Sequence, residues 1–233
     1  MIAIIGSGNV AVHLYKALSD NVPTLLINPH TLEGLPKDAD IILIAVADKA
    51  IEEVAGKIKN KNSVIAHTSG SIPMDVLKNV GKNIGVFYPL QTFSKGREIN
   101  YKEIPLFLEG NSSETIFKLK KLGSLFSDNI YEADSAKRKK LHLASVFACN
   151  FTNALASVSE KLLENTGYDF KVLQPLMKET IQKLETLSPG EAQTGPAVRK
   201  DEKVIEDHKK MLEDQPDLKL LYSIFSDYIK QNS

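Results

Sequence analysis

Short, almost unbroken aliphatic runs alternate with segments of helical spacing through about the first 130 residues. Residues 2–5 read as a buried strand running into Gly6. Residues 9–19 place Val10, Leu14, Ala17 and Leu18 at helical intervals. Residues 24–27 and 41–46 are nearly continuous aliphatic stretches, as expected of parallel strands covered on both faces. A helix is predicted over 48–59, with Ile51, Val54, Ala55 and Ile58 on one side. Residues 63–66 and 84–87 read as a fourth and a fifth strand. Two further strands, at 105–108 and 129–131, flank a helix over 112–126. This strand–helix alternation predicts a doubly wound α/β sheet.

After about Asp134 no β-like run appears. One long helix can be drawn over 134–165, ended by Thr166-Gly167. Others follow at 170–187, 200–212, and beyond Pro216, the last with Leu218, Leu221, Phe225 and Tyr228 on one face. The predicted organisation is an α/β domain over 1–133 and an all-α C-terminal domain over 134–233.

At the first strand–helix turn the chain reads Gly6-Ser7-Gly8-Asn9-Val10-Ala11, a G-x-G-x-x-A pattern. The first glycine allows a tight turn, and the second lets a pyrophosphate approach the backbone. A small third residue lets helix and strand pack closely, and the helix N-terminus favours an anion. In this position the motif predicts a Rossmann-type dinucleotide site lined by Gly6, Ser7, Gly8, Asn9, Val10 and Ala11. The second strand ends Asn28-Pro29-His30-Thr31. It lacks the acidic residue that holds the ribose hydroxyls of NAD, so NADP is expected in preference, with Asn28 and His30 at its 2′-phosphate. The crossover back to Ile41 is near the minimum for a parallel return, leaving room for a turn or two of helix at most.

Ligands of such sheets sit outside the carboxyl ends of the strands. That places Ala47-Asp48, His67-Thr68-Ser69-Gly70-Ser71 and Tyr88-Pro89-Leu90-Gln91-Thr92 around the crevice. Ala47 is expected at the cofactor, and Ser69 and Gln91 at the substrate. His67 is a candidate proton donor, because an unperturbed imidazole titrates near working pH. The competing reading makes His67 a satisfied core histidine and Thr68 or Ser69 the cap of a helix near 71–80.

The long helix carries Phe147, Phe151, Leu155, Val158 and Leu162 on one side and is expected to be mostly buried. His142, Cys149 and Asn153 align on it, with Asn150 beside them. His142 and Asn150 are therefore candidates to face a ligand, and Cys149 reads as a small buried hydrophobe. Lys137-Arg138-Lys139-Lys140 reads as a solvated face. Residues 188–196 read either as an interhelical turn or as a closing loop, with Arg199 available for a carboxylate or phosphate.

Lys plus Arg equal Asp plus Glu at 29 each, so no excess charge argues for nucleic acid. The single Cys149 cannot form an internal disulfide, so a cytoplasmic location is the default. No signal segment is read, no run appears long enough to cross a membrane, and no metal site is expected.

The glycine turn, His67–Ser71, the stretch from Val86 to Ser94, the stretch from His142 to Asn150, and Gln193-Thr194-Gly195-Pro196 together resemble one family. It is the group of Rossmann-like NADP-dependent oxidoreductases with a helical C-terminal domain of unknown function, of the type numbered 2520. It is similar in plan to pyrroline-5-carboxylate reductase and the 6-phosphogluconate dehydrogenase-like reductases. The resemblance implies a helical domain that dimerises. It also implies that Gly6, Gly8 and Ala11 line the cofactor, and that the His67 loop and the helix at His142 and Asn150 face the cleft. Such reductases usually carry a Ser-Arg or Asn-Arg pair after the second strand, where this chain reads Asn28-Pro29-His30. The expected function is NADP(H)-dependent oxidoreduction of a small polar substrate, by a homodimer, with His67 or His142 moving the proton. The alternative is a non-catalytic dinucleotide-binding or sensing protein.

Overall fold

The computed structural model describes residues 1–60 and 62–232. Two compact units divide it, Met1–Phe151 and Thr152–Ser233. The first is built on a seven-stranded sheet of order β2-β1-β3-β4-β5-β6-β7. Its strands are β1 (Ile2–Ile5), β2 (Thr24–Ile27), β3 (Ile41–Ile44), β4 (Val64–His67), β5 (Asn83–Pro89), β6 (Leu106–Gly110) and β7 (Ile130–Glu132). The first five strands run parallel. β6 turns antiparallel to β5, with Phe87 opposite Leu108, and β7 pairs parallel to β6. The Rossmann-type doubly wound α/β architecture is therefore present.

Sheet order explains where a ligand can sit. The chain leaves β1 for β2 on one side and returns for β3 on the other. The crevice outside the carboxyl ends of β1 and β3 is thus the switch point. Helices α1 (Asn9–Leu18), α2 (Ile51–Gly56) and α3 (Ser113–Phe126) cover the sheet. β1, β3 and β4 are buried at every position, and two apolar clusters fill the space above and below them.

β2 differs from its expectation. Its aliphatic run predicts a strand covered on both faces, yet Leu25 and Leu26 are about two-fifths exposed. No helix forms between β2 and β3, so nothing from that crossover shields the edge strand. The helix expected near 71–80 is also absent; only one turn of tighter helix forms, at Met74–Leu77. The backbone just before it is committed elsewhere. Arg138 takes the carbonyls of Ser69 and Ile72, and the Met74 N–H donates to Ser135 Oγ at 3.0 Å.

Helix α4 (Ser135–Ser145) begins at Asp134, whose carboxylate accepts from the Lys137 N–H at 2.8 Å. It passes through a wider π-turn, Val146–Phe151, into α5 (Thr152–Leu162). Three expectations fail along this rod. Arg138, read as part of a solvated charge run, is completely buried. It is paired with Glu109 and hydrogen-bonded to the sheet side of the molecule. The apolar side, expected to be covered, is open: Leu143 and Phe147 are 59% and 61% exposed. The segment Ser135–Leu162 is moreover long and apolar enough, by length and composition alone, to cross a bilayer, contrary to the reading of the sequence.

Among its described residues the second unit contains helices and connecting turns but no strand. It contains α5, α6 (Gln174–Gln182), α7 (Pro189–Ala192), α8 (Glu202–Met211) and α9 (Pro216–Asn232). Ile205 and Leu212 are its buried apolar anchors. His208 Nδ1 meets Tyr222 Oη at 2.9 Å, joining α8 to α9. Residues 188–192 are not loose: Ser188 and Glu191 close a reciprocal capping box on α7.

Candidate functional site

Gly6 sits where the chain turns from β1 to α1 with φ +156°, a conformation L side chains rarely adopt. A Cβ there would lie 2.2 Å from the Ala45 carbonyl oxygen and 3.0 Å from the Ala11 methyl. The turn therefore demands glycine, and the contact demands a residue as small as Ala11. Gly8 is different. A Cβ on it would meet nothing within 4 Å, because the space above it is open. No side chain caps the first turn of α1, so its N–H groups are available to an anion.

That open space is a cleft of about 610 Å³. Ser7, Gly8, Asn9 and Val10 form its floor. Ala47 and Ala50 also line it, as do Pro29 and His30 after β2, Glu53 of α2 and Lys57 just after α2. Gly6 and Ala11 lie beneath it. Asn28 is absent from the lining; its side-chain oxygen accepts from the His30 N–H at 2.8 Å and so shapes the turn that presents His30. A loop before β6 closes the near end through Phe93. Asn9 donates to the Phe93 carbonyl at 2.9 Å. The buried His13 reaches Ser94 and Tyr101, both at 2.9 Å.

A second cleft, of about 550 Å³, shares Val10, Thr68 and Gln91 with the first. Its own walls are Tyr88 and Thr92 on one side, and His142, Ser145, Cys149 and Asn150 of the long helix on the other. Tyr88 Oη and His142 Nδ1 are 3.2 Å apart, with their rings edge to face. Burial pushes the Tyr88 phenol up from its ordinary value, opposed by a hydrogen bond with Ser145. No Lys, Arg, Asp or Glu lines this second cleft among the described residues.

The pair is held from behind. Arg138, one turn before His142, pairs with Glu109 and donates to the Ser69 carbonyl at 3.2 Å. Glu109 also accepts from the Ser135 backbone N–H and hydroxyl, at 2.9–3.0 Å. These bonds fix the start of α4 against the loop after β4. Gly70 in that loop has no room for a side chain. A Cβ would fall 2.6 Å from the Tyr88 ring and 2.9 Å from His142 Nδ1.

The remaining candidates fall elsewhere. His67 is fully buried on β4 and lines neither cleft. Its Nδ1 accepts from the Ser69 N–H at 3.2 Å, and burial, helped by the Arg138 charge, lowers its pKa to about 4. Ser69 is also turned inward, its Oγ accepting from the Ser71 and Ile72 N–H groups at 3.2 and 3.1 Å. Arg199 belongs to the second unit, between α7 and α8. No individual role at the ligand is expected for Tyr88, Ser145 or Lys57 from the sequence, and Thr68 is expected only as a candidate helix cap. Tyr88 stood in a loop already singled out, whereas Glu53 and Lys57, four residues apart, look like any exposed helix pair.

The family described as "Domain of unknown function (DUF2520)" matches residues 104–229. No curated protein matches the chain in sequence. Among solved structures, the "putative NADP oxidoreductase" BF3122 of Bacteroides fragilis is 38% identical with a TM-score of 0.89, covering 99% of this chain and 97% of its own. Protein TM1727 of Thermotoga maritima is 22% identical with a TM-score of 0.77, covering 99% and 97%. The NADP-bound pyrroline carboxylate reductase of Plasmodium falciparum is 14% identical with a TM-score of 0.62, covering 98% and 97%. The last two likenesses are of fold. With its signature over residues 104–229 of 233, the chain belongs to the family that carries the domain of unknown function DUF2520.

Proposed function

We propose that this protein is an NADP(H)-dependent oxidoreductase acting on a small polar carbonyl or imine compound. The observation that carries the reading is the continuity of two clefts through Val10, Thr68 and Gln91. One has the shape and glycine turn of a dinucleotide site, and the other presents an ionisable pair. The residues fit the cofactor: Gly8 leaves the pyrophosphate position open, and no carboxylate stands at the end of β2 to oppose a 2′-phosphate. The full-length relative from Bacteroides fragilis supports the same cofactor.

When bound, the dinucleotide supplies or accepts the hydride at the substrate carbon. The chain's residues do the rest. The Tyr88 hydroxyl gives a proton to the substrate oxygen or nitrogen on reduction and is refilled through His142 Nδ1. Asn150 and Gln91 orient the substrate by hydrogen bonds. His67, neutral and enclosed, fits a positioning part beneath the Thr68–Ser69 loop better than proton transfer.

We further propose that two copies associate through the open apolar face at Leu143, Phe147 and Phe151, in the cytoplasm. Phe147 and Phe151 already pack edge to face at 4.8 Å, forming a ready anchor for a second copy.

NADPH and NADH at matched concentrations test the cofactor by thermal shift. A ligand at a hundred times its Kd stabilises by about 2.7 kcal/mol, and NADPH is expected to give the larger rise. Gly8→Val should fold normally, since its side chain enters open space, yet lose the shift. No shift with either nucleotide would remove the cofactor and the function with it. A shift without turnover across C=O and C=N compounds would favour a sensing protein.

A further inference from the structure

The adenosine end of the cofactor cleft carries a cluster that the glycine motif does not predict. Lys57 caps the C-terminus of the helix that follows β3 and lines the cleft together with Pro29 and His30 of the β2 loop. Its ammonium donates to Glu53 at 2.7 Å, and both side chains are well exposed. Among the described residues, His30, Glu53 and Lys57 are the only ionisable side chains in the lining. The Lys57 hydrogen bond holds the Glu53 carboxyl below its usual range, and His30 adds to the effect.

Their arrangement has a consequence for charge. The β2 loop offers one imidazole and no guanidinium, so a phosphate on the adenosine ribose would lack a full cation there. Lys57, just after α2, supplies one from the same lining. Glu53 would repel the same phosphate if its charge were not already paired. An exposed carboxylate–ammonium pair is weak, and a phosphate presents more negative charge to the ammonium than the carboxylate does.

We propose that Lys57 and His30 form a two-sided clamp for the 2′-phosphate of the adenosine ribose, with Glu53 holding Lys57 until the phosphate displaces it. The clamp rests on the cofactor reading above and assigns its specificity to α2 rather than to the β2 loop. It makes Glu53 a brake on phosphate binding, since the ammonium must leave one partner to meet the other.

The test measures binding of two probes by calorimetry: adenosine 2′,5′-bisphosphate and adenosine 5′-monophosphate. The native protein should prefer the bisphosphate by about tenfold, ~1.4 kcal/mol. Lys57→Gln should remove most of that preference while leaving the monophosphate unchanged. Glu53→Gln, which releases the ammonium, should tighten the bisphosphate several-fold. The native preference should shrink as salt is raised, because the charges are exposed. Neither variant threatens the fold, since both positions lie on the surface. Lys57→Gln weakening both probes equally, or neither, overturns the clamp while leaving cofactor binding in place. Glu53→Gln weakening the bisphosphate overturns the brake. Failure of the native protein to bind either probe would instead sink the cofactor reading itself.

Discussion

The strand Ile41–Ile44 and the helical stretch from Leu143 to Phe151 are both strongly apolar, and they meet opposite fates. Every residue of the strand is buried. On the helix Leu143, Phe147 and Phe151 stand 59%, 61% and 44% exposed. The strand's cover is supplied by its neighbours in sequence, because parallel crossovers carry helices onto both faces of a sheet. The edge strand β2 shows the rule by exception. Its crossover lacks a helix, and Leu25 and Leu26 are left open. The long helix has no crossover to cover it, so its apolar face calls for another surface. Apolar residues of the sheet thus stabilise the chain, whereas those of the helix stay open and are the face proposed above for a second copy.

Three experiments press on that contrast. The largest effect is expected where Arg138 locks the helix to the sheet. Arg138→Met leaves Glu109, 13% exposed on its side chain, without its partner. Stranding a buried charge in this way costs about 3–5 kcal/mol, read as a lower denaturant midpoint. Arg138→Met with Glu109→Gln should recover part of the loss. An Arg138→Met protein as stable as the native one would show that the anchor is idle.

The next effect comes from pH. The folded state holds His67 near pKa 4, against about 6.5 in the unfolded chain. Between those values the unfolded chain binds a proton that the folded one refuses, so stability falls as pH drops from about 6.5 to 4. The difference amounts to about 3 kcal/mol at most, fully present above pH 6.5. Thermal melts across this window should show the decline, and His67→Asn should flatten it. An unchanged slope in that variant would assign the acid sensitivity to other groups.

The smallest effect on stability, and the sharpest on assembly, is expected from Phe147→Asp. As an exposed position in the single chain it should shift the monomer's stability by about 0.5 kcal/mol or less. Sedimentation should nevertheless move it toward the 25.7 kDa single chain. A native protein that already sediments as one chain at micromolar concentration would remove the second copy as the cover of this face.

Much of the fold was legible because its signals are local. Aliphatic runs, the helical spacing after Gly8 and the turn at Gly6 each depend on a few consecutive residues. Part of the cleft lining was legible for the same reason, since Ser7, Gly8, Asn9, Val10, Ala47, Gln91, His142 and Asn150 follow from where strands end and which helix face is polar. Tyr88 and Lys57 were not assigned. Tyr88 gains its meaning from His142, which lies 54 positions later, and Lys57 from a loop that sequence spacing does not bring near it.

The sequence alone determined the parallel sheet, the glycine turn and the change to helix after Asp134, because periodicity of two or 3.6 residues is a property of neighbours along the chain. Only the tertiary structure decided that His67 turns inward, that Arg138 is buried and that Phe147 is not. Burial sums over all atoms close in space. Arg138 meets Glu109 from 29 residues earlier and backbone from 66 and 69 residues earlier, so no local repeat in the chain could have announced it.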